Sequence, residues 1–403
     1  MNSHLHSGLA DLPVLDFNSQ TYQEAPFKTL AHWAGKWKIA QSARGIELLD
    51  YEICRKAILD RKLGTGHPRL MDVLGLPDGR PLEYKRNSIS FFNRGDRRRD
   101  LRRPITGLMN ESSIEDYRGV IRSIVRRVAD AIPKDRPVDL IATLGDPIPS
   151  ALYCHWVGAP FEDAAFVART SHTVQQVHSR NPEHTPAIVE AFEALIDYVD
   201  DRIADARKNP GNNLISDLIK VESSGQIGGE DLRNWVIKMA EANTDNSSHQ
   251  IGIAIIELAS RPAVWKKLGE EPSLVPGAVR EVMRYRPRTI STSREVLEDT
   301  EIAGQFLPKG TPVFANIGAT HWDSRYYADP ENFDINREGE PPHMNFGGGV
   351  FSCIGRFVIT AEVEEVISLL ARQHPNLELK QVGFFHSPMF TSVATLTAQL
   401  DPV

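Results

Sequence analysis

The sequence predicts a mainly α protein with a smaller β portion, and three observations carry that expectation. Apolar residues recur at helical spacing in one segment after another between about residues 114 and 260, with breaks at proline and glycine. Strand-like alternation is confined to short islands near 39–49 and 300–317. A lone cysteine, Cys353, stands where a glycine-rich stretch runs into a final helical pattern.

In order, residues up to about Glu24 read as irregular. Phe27–Trp37 reads as a short helix, Ile39–Leu49 as β-rich turns and Tyr51–Asp60 as a helix; Leu63–Pro81, rich in Gly and Pro, reads as a mobile loop. Helical patterns follow at Tyr117–Ile132, Pro147–Val157, Phe161–His178, Pro186–Lys208 and Leu214–Ser223. Pro133, Pro160, Pro182 and the Asn209–Asn212 turn separate them. Leu232–Ser260 reads as one long helix ending at Arg261–Pro262. Glu301–Gly304 and Thr311–Ile317 read as strands, and Phe384–Phe390 as a hairpin tip.

The chain has 403 residues, 41% of them apolar and 25% charged, enough for a large core. The expectation is a single domain over 1–403, with a β-rich N-terminal part at about 25–85 and 290–320. No apolar run approaches the roughly 20 residues that span a bilayer, so no membrane partner is expected. Met1–Asp16 shows no basic region followed by an apolar one, which argues against a secretory signal. Cys54, Cys154 and Cys353 are odd in number and far apart, pointing to a reducing cytoplasm and away from disulfides or zinc. A net charge of −7 gives no reason to expect a nucleic-acid partner.

Four stretches carry chemistry. In His343–Arg356 a Phe and glycines lead to Cys353 in the order Phe-Gly-x-Gly-x-x-x-Cys-x-Gly. A helix start stabilises a thiolate, and glycines let backbone amides approach the sulfur. Such a loop suits a metal ligand; the bland alternative is a buried, inert cysteine. Arg94–Pro104 holds six arginines and two aspartates, a local +4 in an acidic chain. It reads as a solvated run; a nucleic-acid patch is the other reading, but it would interleave aromatics. Ala242–Ser248 puts polar residues in series inside an apolar helix, which is costly unless they serve a site or face water. Glu281 and Arg284 lie three apart on one helix face and can pair.

The cysteine stretch resembles the haem-binding signature of the cytochrome P450 family, and the other three occur in that family's order. The resemblance implies the P450 fold, an α+β triangular prism, with haem b and Cys353 as axial thiolate on its iron. Phe346, Gly347 and Gly355 would belong to the haem-binding loop. The arginine run resembles the family's His-x-x-x-Arg helix, with Arg98 and Arg102 at those positions. They and Arg294 would pair with haem propionates, and the outward arginines would offer a dock for an acidic donor. Ala242–Ser248 resembles the oxygen-activation motif Ala/Gly-Gly-x-Asp/Glu-Thr, with Asp245 at the acidic position. Asn246 replaces the Thr and Asn243 the Gly, so proton delivery through Asp245 and Asn246 departs from the family. Glu281 and Arg284, with Arg337, resemble its structural network. Two further departures are Trp322 within His321–Asp323, and Phe351 where a propionate-pairing His or Arg is usual, a contact that His343 or another Arg would supply.

The function implied is a haem-thiolate monooxygenase using O2, with NAD(P)H-derived electrons delivered by a ferredoxin or flavodoxin and its reductase, none of them fused to this chain. The pocket positions Trp235, Met239, Asn243, Thr244, Thr289, Thr292 and Phe390 are polar for such a site. They suggest a small-molecule substrate rich in oxygen, such as an O-methylated sugar or aromatic, that is hydroxylated or O-demethylated. Two alternatives stay open: a peroxygenase or atypical oxidation catalyst, which Asn246 encourages, and a non-enzymatic haem sensor, which would keep the cysteine ligand.

Overall fold

The computed structural model describes residues 11–65, 75–89, 96–179 and 181–401. Residues 66–74 of the expected mobile loop, and Arg94 of the arginine run, lie outside them. The chain forms two compact units, each built from three separate segments. Mostly helix with a smaller share of strand, it agrees with the predicted class.

The first unit comprises residues 1–67, 273–353 and 383–394. Its centre is a five-stranded sheet in the order Ile39–Ser42, Gly45–Leu48, Pro312–Asn316, Ser291–Val296, Leu63–Gly64. All neighbours are antiparallel except Gly45–Leu48 and Pro312–Asn316, which run parallel. A parallel pair needs a crossover, and here the partner strand arrives only after residues 68–272 of the second unit in sequence. Ile46, Leu48, Val296, Val313 and Ala315 on these strands join Tyr51, Cys54 and Ile58 of helix Tyr51–Leu59 in one core. Asp50 caps that helix, its carboxylate accepting from the Ile53 N–H at 3.1 Å. A second cluster gathers around Phe27, Leu30 and Trp322. Trp322 stacks on Phe27 with centroids 5.9 Å apart and donates its indole N–H to the Tyr285 carbonyl at 2.8 Å. That contact gives the unusual Trp a packing role.

The second unit comprises residues 68–272, 354–382 and 395–403. Its axis is a helix of 31 residues, Gly229–Ala259, buried along most of its length. Packed on it are Pro147–Trp156, Ala164–Gln175, Thr185–Lys208 and Arg356–Gln373. The helical patterns read from the sequence appear with their ends shifted by a few residues. Arg80–Asn87 and a π-helical turn at Ile141–Gly145 were not anticipated. No described helix is long and apolar enough to cross a membrane.

Candidate active site

The candidate residues divide between the two units. In the first, Gly347 and Gly349 have φ of +62° and +58°, a conformation that L side chains adopt only at a cost. Their turns bring the Cys353 N–H to the Phe346 carbonyl at 2.8 Å and leave Cys353 exposed, unlike the buried Cys54 and Cys154. A Cβ at Gly348 would sit 3.0 Å from Leu59 and 3.1 Å from Ile58, so the loop lies close on helix Tyr51–Leu59. In sequence, Cys353 precedes helix Arg356–Gln373 by three residues, with Gly355 as its N-cap.

Arg294, on strand Ser291–Val296, is only 5% exposed, yet among the described residues no carboxylate pairs with it. One terminal nitrogen donates to Thr292 Oγ1 at 2.9 Å and to the Ser293 carbonyl at 2.8 Å, while Nε and the other nitrogen are buried without partners. Burial with no anion nearby pushes its pKa down to about 10. Phe351, at the departing position, packs over this guanidinium at 4.9 Å. His343 lies half-buried with Nδ1 unpartnered, and burial pushes its pKa down to about 4. An exposed thiol on a glycine loop and a buried guanidinium with two orphaned nitrogens fit a thiolate-ligated group that carries carboxylates.

In the same unit Arg284 is held bidentately by Glu281, both contacts 2.7 Å, and donates to the carbonyls of His321 and Pro330 at 2.9 and 3.0 Å. Arg337 Nε lies 3.4 Å from Glu281. This is the network the spacing suggested, with every member nearly buried. Among the pocket positions, Thr289 and Phe390 form an isolated antiparallel bridge, because the turn at Met389 accepts from the Ile290 N–H at 2.8 Å. Thr292 is engaged by Arg294.

In the second unit Arg98 is buried on helix Asp96–Leu108 and donates to the Ile89 carbonyl at 2.7 Å; Arg102 is half-buried on the same helix. Arg97 pairs with Asp231, and the exposed Arg99 with Asp96 at 2.8 Å. On the central helix Trp235 and Met239 are each 7% exposed. Thr244 is fully buried with its hydroxyl 3.5 Å from Ser150, and Asn243 donates to the Pro149 carbonyl at 3.1 Å. Asn246 donates back to the Ala242 carbonyl at 2.9 Å. Asp245 faces two histidines, His172 Nδ1 at 3.3 Å and His249 Nε2 at 3.6 Å; His172 Nε2 also reaches Asp146 at 2.9 Å. The bonds from Asp146 and Asp245 push the His172 pKa up to about 10, so it is an imidazolium at neutral pH.

The sequence reading did not find His172, Asp146 or His249, nor the buried cluster one turn away. There Glu241 accepts from Tyr84 Oη at 2.5 Å and Lys238 Nζ at 3.2 Å and is paired with Lys85. Burial alone would raise the Glu241 pKa, but Lys238 and Lys85 hold it far below the usual range. The one available signal was the polar series along the helix; the partners lie on other helices with no local signature.

A family model described as Cytochrome P450 matches residues 165–373. The luteothin monooxygenase of Streptomyces thioluteus is 29% identical over 92% of this chain and 91% of its own. The nocardicin C N-oxygenase of Nocardia uniformis subsp. tsuyamanensis is 28% identical over 69% of this chain and 70% of its own. Among solved structures, the epothilone D-bound cytochrome P450epoK superposes with a TM-score of 0.87 at 20% identity, covering 96% of this chain and all of that one.

Proposed function

The chain belongs to the cytochrome P450 family, and on that premise we propose that its substrate is a compact, oxygen-rich molecule, hydroxylated or O-demethylated with electrons from a ferredoxin or flavodoxin. As a family member it is a monooxygenase that uses haem b, dioxygen and electrons drawn from NAD(P)H through redox partners. Bound haem would supply dioxygen activation, and a cysteine thiolate would donate electron density to its iron. The chain's own residues hold that group and manage protons around it. Cys353 offers the thiolate, and Arg294, with Arg98 and Arg102, offers guanidinium forks to the propionates. Asp245 faces the imidazolium of His172. Asn246, whose N–H is taken by Ala242, provides no hydroxyl where the family has one.

The observation that supports the substrate class is the polar run along the central helix, where half-buried Lys238, Asn243 and Asn246 and buried Glu241 share the helix with Trp235 and Met239. A polar run of this kind suits an oxygen-rich ligand better than an apolar one. Spectral binding titrations of the haem-loaded protein test it: polyoxygenated and O-methylated compounds should shift the Soret band, and luteothin and nocardicin C belong on the panel. Shifts only with camphor-like or fatty-acid ligands would count against it. A cytoplasmic setting is proposed on the buried free thiols Cys54 and Cys154; activity confined to a periplasmic extract would contradict it.

A second reading rests on Asn246 alone. With its amide turned into its own helix, peroxide is a candidate co-substrate in place of dioxygen and a donor. Turnover with peroxide but none with ferredoxin, reductase and NAD(P)H would select this peroxygenase.

A further inference from the structure

Helices Glu111–Asp130 and Arg356–Gln373 pack against each other in the second unit. Between them lies a cleft of about 250 Å³, floored by the buried Val125 and Leu369 and walled by Arg122, Arg126, Ser368 and Arg372. Arg122 and Arg126 are one turn apart on the first helix, and Ser368 and Arg372 one turn apart on the second. Two facing stripes thus present three guanidiniums and a hydroxyl to one concave space.

The nearby carboxylates are already committed. Glu365, which also borders the cleft, takes Arg122 through two bonds of 2.9 Å. Glu115 and Glu364 take Arg118 at 2.8 and 3.0 Å, and Glu162 takes Arg127 at 3.1 Å. Arg126 and Arg372 are exposed and, among the described residues, have neither an ion pair nor a hydrogen bond. The half-buried Ser368 hydroxyl is likewise without a partner among them. Like charges one turn apart on a helix repel, and a third guanidinium from the facing helix adds to that cost. An anion seated among them turns the repulsion into attraction.

Two unmatched positive charges select the valence of that anion. A carboxylate brings one negative charge, whereas a phosphate monoester brings about 1.5 to 2 at pH 7, with three strong acceptor oxygens. Planar guanidiniums match phosphate oxygens bidentately, and a serine hydroxyl supplies one more donor. A concave cleft suits a compact ligand of this kind better than the face of an acidic protein.

We infer that this cleft binds a phosphate monoester, its phosphate held between Arg126 and Arg372 with Ser368 as a further donor. The rest of the ligand lies over Val125 and Leu369, while Arg122 stays with Glu365 and contributes charge. The oxygenation chemistry draws on none of these residues, so the site stands independently of the substrate reading.

The test follows the melting temperature of the haem-loaded protein at constant ionic strength. Inorganic phosphate and glycerol 3-phosphate should each raise it saturably, and acetate should not. Phosphate loses its second charge near pH 6, so its effect should fade as the pH falls through that value. Arg126→Gln combined with Arg372→Gln should weaken phosphate binding roughly ten-fold, with the haem spectrum and turnover unchanged. Because these arginines repel, the double variant should melt no lower than the parent when no anion is present, which separates lost binding from a folding defect. Vesicles of phosphatidylcholine with phosphatidic acid, set beside glycerol 3-phosphate, tell a lipid headgroup from a free metabolite; either one bound through these arginines supports the site. No saturable phosphate effect, acetate equal to phosphate, or a phosphate effect that survives the double variant would overturn the assignment. An acidic ferredoxin held by these arginines and not displaced by phosphate would overturn it as well.

Discussion

At the scale of single residues, the loop before Cys353 makes its own tests. Only Cys353 is exposed among the three thiols, and burial pushes the Cys154 pKa up to about 12. A thiol reagent should therefore label one cysteine per native haem-free chain, and haem should protect it; two or three rapid labels would contradict the placement. Gly349→Ala puts a Cβ at positive φ, 3.3 Å from Leu59, and should cost about 1–2 kcal/mol in denaturant unfolding. Arg294 makes an opposite prediction for the two states. Its lowered pKa means that its charge opposes folding of the haem-free chain at every pH below about 10. Arg294→Met should raise the melting temperature of the haem-free protein while weakening haem retention; a loss of stability in both states would show that the guanidinium has another partner. These residues were legible in the sequence because glycine at positive φ and a lone cysteine leave a local mark. Glu241 and His172 were not, since one buried Glu or one His in a helix reads like any other until its partner helix is known.

At the scale of elements, helices are joined by charges that act through few atoms. Breaking the Glu281–Arg284 pair by Arg284→Ala leaves a buried carboxylate and should cost about 3–5 kcal/mol, read by urea unfolding. Spacing alone allowed only the Glu281–Arg284 pair, since i,i+3 pairing is local; the network and Arg337 as its third member came from the family resemblance. The tie between Ala164–Gln175 and the central helix was invisible by comparison. His172 has a folded pKa near 10 against an ordinary value of 6.5, so its contribution is full below about pH 6.5 and declines as pH rises toward 10. Thermal scans should show stability falling across that window, and His172→Gln should flatten the slope; an unchanged slope would deny the ion pair. Strand Ser291–Val296 and helix Arg80–Asn87 escaped a residue-by-residue reading for a related reason. The strand is fixed by neighbours far along the chain, and the helix begins inside a Gly- and Pro-rich stretch.

At the scale of the whole molecule, the acidic chain carries exposed cations on the helix Asp96–Leu108, among them Arg99 and Arg103. If they receive an acidic electron donor, the reduction rate should fall steeply with salt, and Arg99→Ala with Arg103→Ala should lower it further at low salt. A rate indifferent to both would place the donor elsewhere. The fold class itself was legible, since helical periodicity and strand islands are read by eye, whereas the division into two interleaved units was not. That interleaving has a consequence for synthesis on the ribosome. Strand Gly45–Leu48 leaves the exit tunnel long before Pro312–Asn316, its parallel partner, exists. Until then one edge of the first sheet is unpaired and open to other nascent chains. The last third of translation thus completes both the sheet and the cysteine loop, which makes premature termination there an aggregation hazard rather than a source of a smaller working enzyme.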